Sequence, residues 1–185
     1  MTGCSSSTGG TAEPTAPAGG ASGSAPSSAG GGAPKVTTPL DTTAFQQNPC
    51  SALTPAQLSA LAVPGPTSKG TVGLPSQASG PTCDLVMVAG SSVVSAGFLT
   101  NYQPGSPKGL AYVYSTGNPP RLPDIEGLPA VLLKDAQGAD GCQVDVGTSD
   151  DVVYVVGIVS WTASDPCTKV EAIATAALTT MKSAG

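Results

Sequence analysis

Five cysteines and no histidine limit the chemistry open to this chain of 185 residues. A Ser-His-Asp or Cys-His nucleophile needs an imidazole base, so neither is available, and no GxSxG stretch is present. There is likewise no Walker A sequence and no GxGxxG run to cradle a phosphate. Cys50, Cys83, Cys142 and Cys167 are far apart and none belongs to a CxxC pair. Zinc sites of the usual Cys/His kinds want ligands at short spacing, so no metal and no cofactor is expected. Carboxylates are what remain for acid–base work: Asp84, Asp124, Glu126, Asp145, Asp150, Asp151 and Glu171. Asp150-Asp151 reads as a turn between strands, and Asp124 and Glu126 flank a bulge or turn at Gly127, so these are expected to be solvated turn residues. No catalytic residue is assigned.

The fifth cysteine differs from the rest. Thr2-Gly3-Cys4 matches the end of a bacterial lipobox, in which a small residue precedes the Cys that takes a diacylglycerol. The basic and apolar parts of a signal peptide are not in the sequence, and Met1 stands where Leu or Val is usual. A trimmed chain, or a GTG or TTG start codon that encodes that Val or Leu, explains both. Cys4 is therefore the expected lipidation site. The sequence after it, from Ser5 to about Leu40, is mostly Ser, Gly, Thr, Ala and Pro, with no aromatic and almost no large aliphatic residue, and it reads as a tether. About 45 such residues have an r.m.s. span of roughly 35–40 Å. The expected organisation is thus a truncated lipobox and disordered tether over residues 1–44 and a disulfide-stapled globular domain over 45–185.

The bulk numbers fit that division. Gly (24) and Pro (18) are high and charged residues only 10%, which marks sequence that cannot offset its ordering entropy by burial. A mean hydropathy of +0.12 then requires the remainder to be rich in apolar residues. The net charge of −5, with seven Lys and Arg, gives no basic face for phosphates, so nucleic acid is excluded as a partner. No run approaches the roughly 20 apolar residues of a spanning helix. Membrane attachment is expected through the lipid alone. The partner is expected to be an envelope protein or a small ligand, and the chain a monomer.

The elements that must position these residues are clearest at the two ends of the domain. In Leu53-Thr54-Pro55-Ala56-Gln57-Leu58, Thr54 and Gln57 form a capping box, Pro55 falls at N1, and Leu53 and Leu58 take the staple positions. Leu61 and Ala62 extend the apolar face, and Pro64-Gly65 is the expected stop. Asp165-Pro166-Cys167 opens a last helix, whose Val170, Ile173, Ala174, Ala177, Leu178 and Met181 recur with helical period. Between them, strands are expected over 84–88, 93–99, 121–125, 130–133, 142–146 and 152–159. The last is apolar on both faces and should be central. The alternation in 142–146 predicts a strand with one wet face. Residues 110–115 suit either a short helix or a strand. The fold class is α+β: a mainly antiparallel sheet flanked by an N-terminal and a C-terminal helix.

Four cysteines allow three pairings. Cys50–Cys83 and Cys142–Cys167 are favoured, each joining a helix start to a nearby strand start and implying an oxidising compartment. The competing reading is a reactive thiol at a helix N-terminus, Cys50 or Cys167, but no His is present to serve it. Trp161 is expected to pack at the rim of the core. Tyr102, Tyr112 and Tyr114 fall in the irregular middle, where a partner surface is expected.

Taken together, Asn48-Pro49-Cys50-Ser51-Ala52-Leu53-Thr54-Pro55-Ala56-Gln57-Leu58, Cys83, Gly127-Leu128-Pro129-Ala130, Cys142 and Asp165-Pro166-Cys167 resemble the actinobacterial lipoproteins of domain-of-unknown-function family 3558. The likeness runs from about Phe45 to the C-terminus. Asp84-Leu85 departs from it, since that family often carries Trp soon after its second Cys. The resemblance implies an extracytoplasmic lipoprotein with an α/β/α sandwich of the PsbP/Mog1 kind, and it implies no activity. What is expected overall is a membrane-anchored, non-catalytic binding or interaction module of the cell envelope; the alternatives are an envelope hydrolase using carboxylates or a structural envelope protein.

Overall fold

The two capping motifs form helices as their sequences predict. In the computed structural model, which describes residues 32–63, 68–73, 78–86, 93–134, 141–159 and 165–185, helix α2 is Pro55–Ala60. The Thr54 hydroxyl accepts from the Gln57 N–H at 3.3 Å, and the Gln57 carboxamide oxygen accepts from the Thr54 N–H at 2.8 Å. Leu53 and Leu58 are both buried. The helix stops at Ala62, which takes a left-handed φ of 48° while Val63 N–H returns to the Leu58 carbonyl at 2.8 Å, a Schellman end. Pro64 and Gly65, the expected stop, lie outside the described residues. A short helix α1 (Thr43–Gln47) and a 3-10 turn (Pro49–Ala52) lead into α2.

Helix α4 is Pro166–Ser183, capped by the Asp165 carboxylate, which accepts from the N–H groups of Cys167 (3.1 Å) and Thr168 (3.2 Å). Its six apolar-face residues, from Val170 to Met181, are buried as the periodicity predicts. Burying each large side chain contributes about 1.5–3 kcal/mol.

The strands are β1 (Ser68–Gly73), β2 (Ala78–Val86), β3 (Val93–Leu99), β4 (Asn101–Tyr102), β5 (Ala130–Lys134), β6 (Cys142–Gly147) and β7 (Val153–Val159). They form one sheet in the order β1-β2-β3-β7-β6-β5, with β4 paired beside β2, and every described pairing is antiparallel. The fold is α+β, an antiparallel sheet flanked by N-terminal helices and a C-terminal helix. β7 is central, as its uninterrupted apolar run requires. Residues 110–115 belong to a helix, α3 (Gly109–Thr116).

Alternate residues divide the sheet into two faces. Tyr154, Val156 and Ile158, with Val94, Ala96, Phe98, Val144 and Val146, share one buried cluster with α4, α2 and the 3-10 turn. Val153 and Val155, with Leu99 and Val131, form a second cluster with Leu110, Tyr112 and Val113 of α3. Helices therefore cover both faces.

Several expectations are corrected. The strand expected over 121–125 is reduced to isolated bridges, Arg121 to Val131 and Ile125 to Leu128, because Pro119, Pro120 and Pro123 have no N–H to give a ladder. β1 and β4 are additions to the expected strands, since Ser, Lys, Gly and Asn carry no strand signal. β2 begins earlier than residue 84, and Met87 and Val88 lie outside the described residues. The strand over 142–146 has no wet face: Gln143 is 1% and Asp145 0% exposed. The compact unit also begins upstream of Phe45, at Gly32. Val36 is buried, Leu40 N–H bonds the Thr148 carbonyl at 2.8 Å, and Thr42 is buried. Residues 33–42 thus lie as a strap against the end of the β6–β7 hairpin.

The disulfides are Cys50–Cys83, with α-carbons 4.9 Å apart, and Cys142–Cys167, at 5.1 Å. The first fastens the 3-10 turn before α2 to β2. The second fastens the first turn of α4 to the start of β6, so both helix starts are pinned to the sheet.

Candidate functional site

The carboxylates do not gather. Asp124, Glu126, Asp150 and Asp151 are exposed at turns, as expected from their Gly and Asp neighbours. Asp84 accepts from the Ser95 hydroxyl at 2.9 Å on the β2–β3 ladder, and Glu171 is half-buried on α4. Among the described carboxylates Asp145 alone is wholly buried. The alternation of β6 points it to the face that α3 covers, between Val131 across β5 and Val155 across β7.

One oxygen of Asp145 accepts from the Gln143 carboxamide at 2.7 Å, while the other has no hydrogen-bond partner. Burial pushes its carboxyl up to about 7, and the Gln143 bond opposes this only in part. Close by, the Tyr102 hydroxyl donates to the Leu99 carbonyl at 3.0 Å and receives the Gly109 N–H. Burial raises this phenol to about 12, with the charge of Asp145 adding to the effect. The Tyr102 and Tyr112 rings meet edge to face, 5.4 Å between centroids. Of the three tyrosines expected to form a partner surface, two thus join β4 to α3, and Tyr114 is half-buried beside them. On the other face, the Tyr154 hydroxyl is buried without a partner, its ring 5.0 Å from that of Phe98.

A concave surface lies beside the strap and the turn that precedes β5. Thr38, Pro39 and Leu40 of the strap, Glu126-Gly127-Leu128 and Lys182 enclose a groove of about 270 Å³. Ile125 and Leu128 exchange both backbone hydrogen bonds, at 2.9 and 3.0 Å, so Glu126 and Gly127 form a two-residue turn. Both have positive φ, 53° and 75°, as a type I′ turn requires, and Asn or Gly rather than Glu is the usual first residue. Lys182 holds the turn to α4: its ammonium lies 3.6 Å from the Glu126 carboxylate and donates to the Glu126 carbonyl at 2.9 Å. The left-handed backbone costs Glu about 1 kcal/mol, and an exposed ion pair returns less than that. Glu126→Asn should therefore raise the urea midpoint, by roughly 0.5 kcal/mol in stability, and a lower midpoint would show that the ion pair outweighs the strain.

Among the described residues no cluster of three metal-ligating side chains occurs, and no helix is long and apolar enough to cross a membrane. Cys4 and Trp161 lie outside the described residues. Sequence reasoning missed Asp145 as a special group, because an alternating strand ordinarily turns its polar side to water. The available signal was the apolar run Leu110, Tyr112, Val113, which needs a sheet face to cover.

A family model described as "Protein of unknown function (DUF3558)" matches residues 1–180. No curated protein matches, and no solved structure does.

Proposed function

We propose that this chain, which belongs to the DUF3558 family, is an extracytoplasmic binding or interaction module held to the outer face of the cell membrane by a lipid on Cys4. The observation that carries the reading is the pair of disulfides, each fixing a helix start to the sheet in a chain whose N-terminus contains Thr2-Gly3-Cys4. Such bridges persist in oxidising compartments. The Ser/Gly/Pro-rich sequence after Cys4 supports a tether role, and the acidic balance of the chain leaves the lipid as the means of attachment. The groove at Glu126 and Lys182 is where a small ligand or an envelope protein would contact the domain. A non-catalytic role is supported by the spread of the carboxylates. A hydrolase would want a second carboxyl beside Asp145, and among the described residues the groups that perturb Asp145 include none.

The test is expression with the upstream codons in an actinobacterium, followed by fractionation and mass measurement of the mature N-terminus. The reading predicts an acylated Cys4 in the membrane fraction and a Cys4→Ala variant released from it. An unmodified Cys4, or a variant that stays in the membrane, would contradict it.

A further inference from the structure

β6 places a carboxylic acid where no described side chain stands to neutralise its ion. Asp145 is 0% exposed, and one of its oxygens has no hydrogen-bond partner. The groups facing it are few. From β5 and β7 come Val131 and Val155, and from β6 itself Gln143 and Gly147. From α3 come Leu110, packed on Gly147, and Tyr112, and from β4 comes Tyr102. None is a cation. Lys108, at the start of α3, turns outward to Asp151 at 3.6 Å, with both side chains more than half exposed. Every other described Lys or Arg side chain is exposed, save Lys169, which bonds the Leu61 carbonyl on the opposite side of the sheet.

The cover over Asp145 is one short helix. α3 has eight residues, too few to stand without packing, and no side chain caps its N-terminus. It is entered through Gly109, whose φ is +57° and whose α-carbon is so near the Asp150 carbonyl that an added Cβ would lie 2.2 Å from it. What holds it is the burial of Leu110, Tyr112 and Val113 on the face that contains Asp145.

We infer that Asp145 is a proton-operated latch: protonated, it lets α3 lie closed on the sheet, and the drive to ionise it favours opening of α3 and hydration of that face. An unpaired buried carboxylate costs several kcal/mol, and opening α3 restores water to it without unfolding β7 or α4. A local opening coupled to one proton becomes about tenfold more favourable per pH unit while the open form is ionised and the closed form is not. The upward shift of the Asp145 carboxyl, from 3.8 to about 7, sets that window at roughly pH 4 to 7.

Amide hydrogen exchange on the full chain tests this. Intrinsic exchange already accelerates about tenfold per pH unit, so amides released by the latch should show a logarithmic slope near two and all other local openings a slope near one. Residues 113–116 of α3 should exchange faster than the slowest amides of β7 and α4, with a slope near two. In Asp145→Asn the slope for those residues should fall to one. A wild-type slope of one in α3, exchange of α3 only at the rate of β7 and α4, or a slope of two that survives the substitution would each overturn the latch. The first two readings need no variant, so the inference stays testable if Asp145→Asn does not fold.

Discussion

Replacing Cys50, Cys83, Cys142 and Cys167 together by alanine should leave a chain without cooperative structure at neutral pH. The bridges close segments with sequence separations of 33 and 25. In the chain-entropy account each contributes roughly 3.5–4 kcal/mol by restricting the unfolded chain, or about 7 kcal/mol for both. A domain of this size has a total stability of about 5–15 kcal/mol, so that loss reaches the margin. The sites add local reasons. Cys142 is fully buried at the start of β6, paired across to Ile158 and Lys134, and Cys167 sits in the first turn of α4. Without the link, the N-terminal turn of α4 is held by the exposed Asp165 cap and by packing alone. Variants that lose one bridge should fold and unfold cooperatively, each about 3–4 kcal/mol less stable in urea. A four-alanine variant within 1 kcal/mol of the parent would show that the sheet and helices hold without staples.

The second large effect is on pH dependence. The Asp145 carboxyl is raised from 3.8 to about 7 in the fold, by burial first and against the Gln143 bond. A raised carboxyl means that the folded state keeps a proton the unfolded chain has lost. The stability contributed by the protonated group is complete below about pH 4, declines as pH rises, and is gone above about pH 7. Three pH units of displacement correspond to about 4 kcal/mol. Asp145→Asn keeps the shape and the acceptor for Gln143 but cannot ionise. It should match the parent near pH 4 and exceed it by about 4 kcal/mol at pH 8. Measured by urea unfolding across that range, parallel curves for the two proteins would place the Asp145 charge in water and remove the argument. Asp41 and Asp165 shift the other way, held below the usual range by hydrogen bonds to Thr43 and Thr168. Both occur in parent and variant alike, so the difference isolates Asp145.

Much of the architecture was legible because local chemistry and global packing agree there. Thr54, Pro55 and Gln57 specify a helix start whatever surrounds them, and the fold uses that start. Gln57 also reaches α4, its carboxamide donating to the Ala176 carbonyl at 2.8 Å. The period of Val170 to Met181 likewise named the buried face of α4. The strap was not legible, since Val36 and Leu40 are isolated apolar residues in low-complexity sequence and their order comes from partners more than 100 residues away. β1 was hidden for a related reason: its pairing with β2 is a property of the neighbour, not of Ser68-Lys69-Gly70-Thr71. The burial of Asp145 was hidden because period-two alternation reports which residues share a face and is silent about what covers it. α3 decides that, and its sequence alone fitted a helix or a strand.

The claim on which the rest depends is that this is a domain built for an oxidising compartment. A non-reducing peptide map of the protein recovered from the envelope of cells that express it with its upstream codons tests that most directly. The account predicts two cross-linked peptides, Cys50 with Cys83 and Cys142 with Cys167, and none of these four as a free thiol. Recovery of all four as free thiols in folded protein would contradict it.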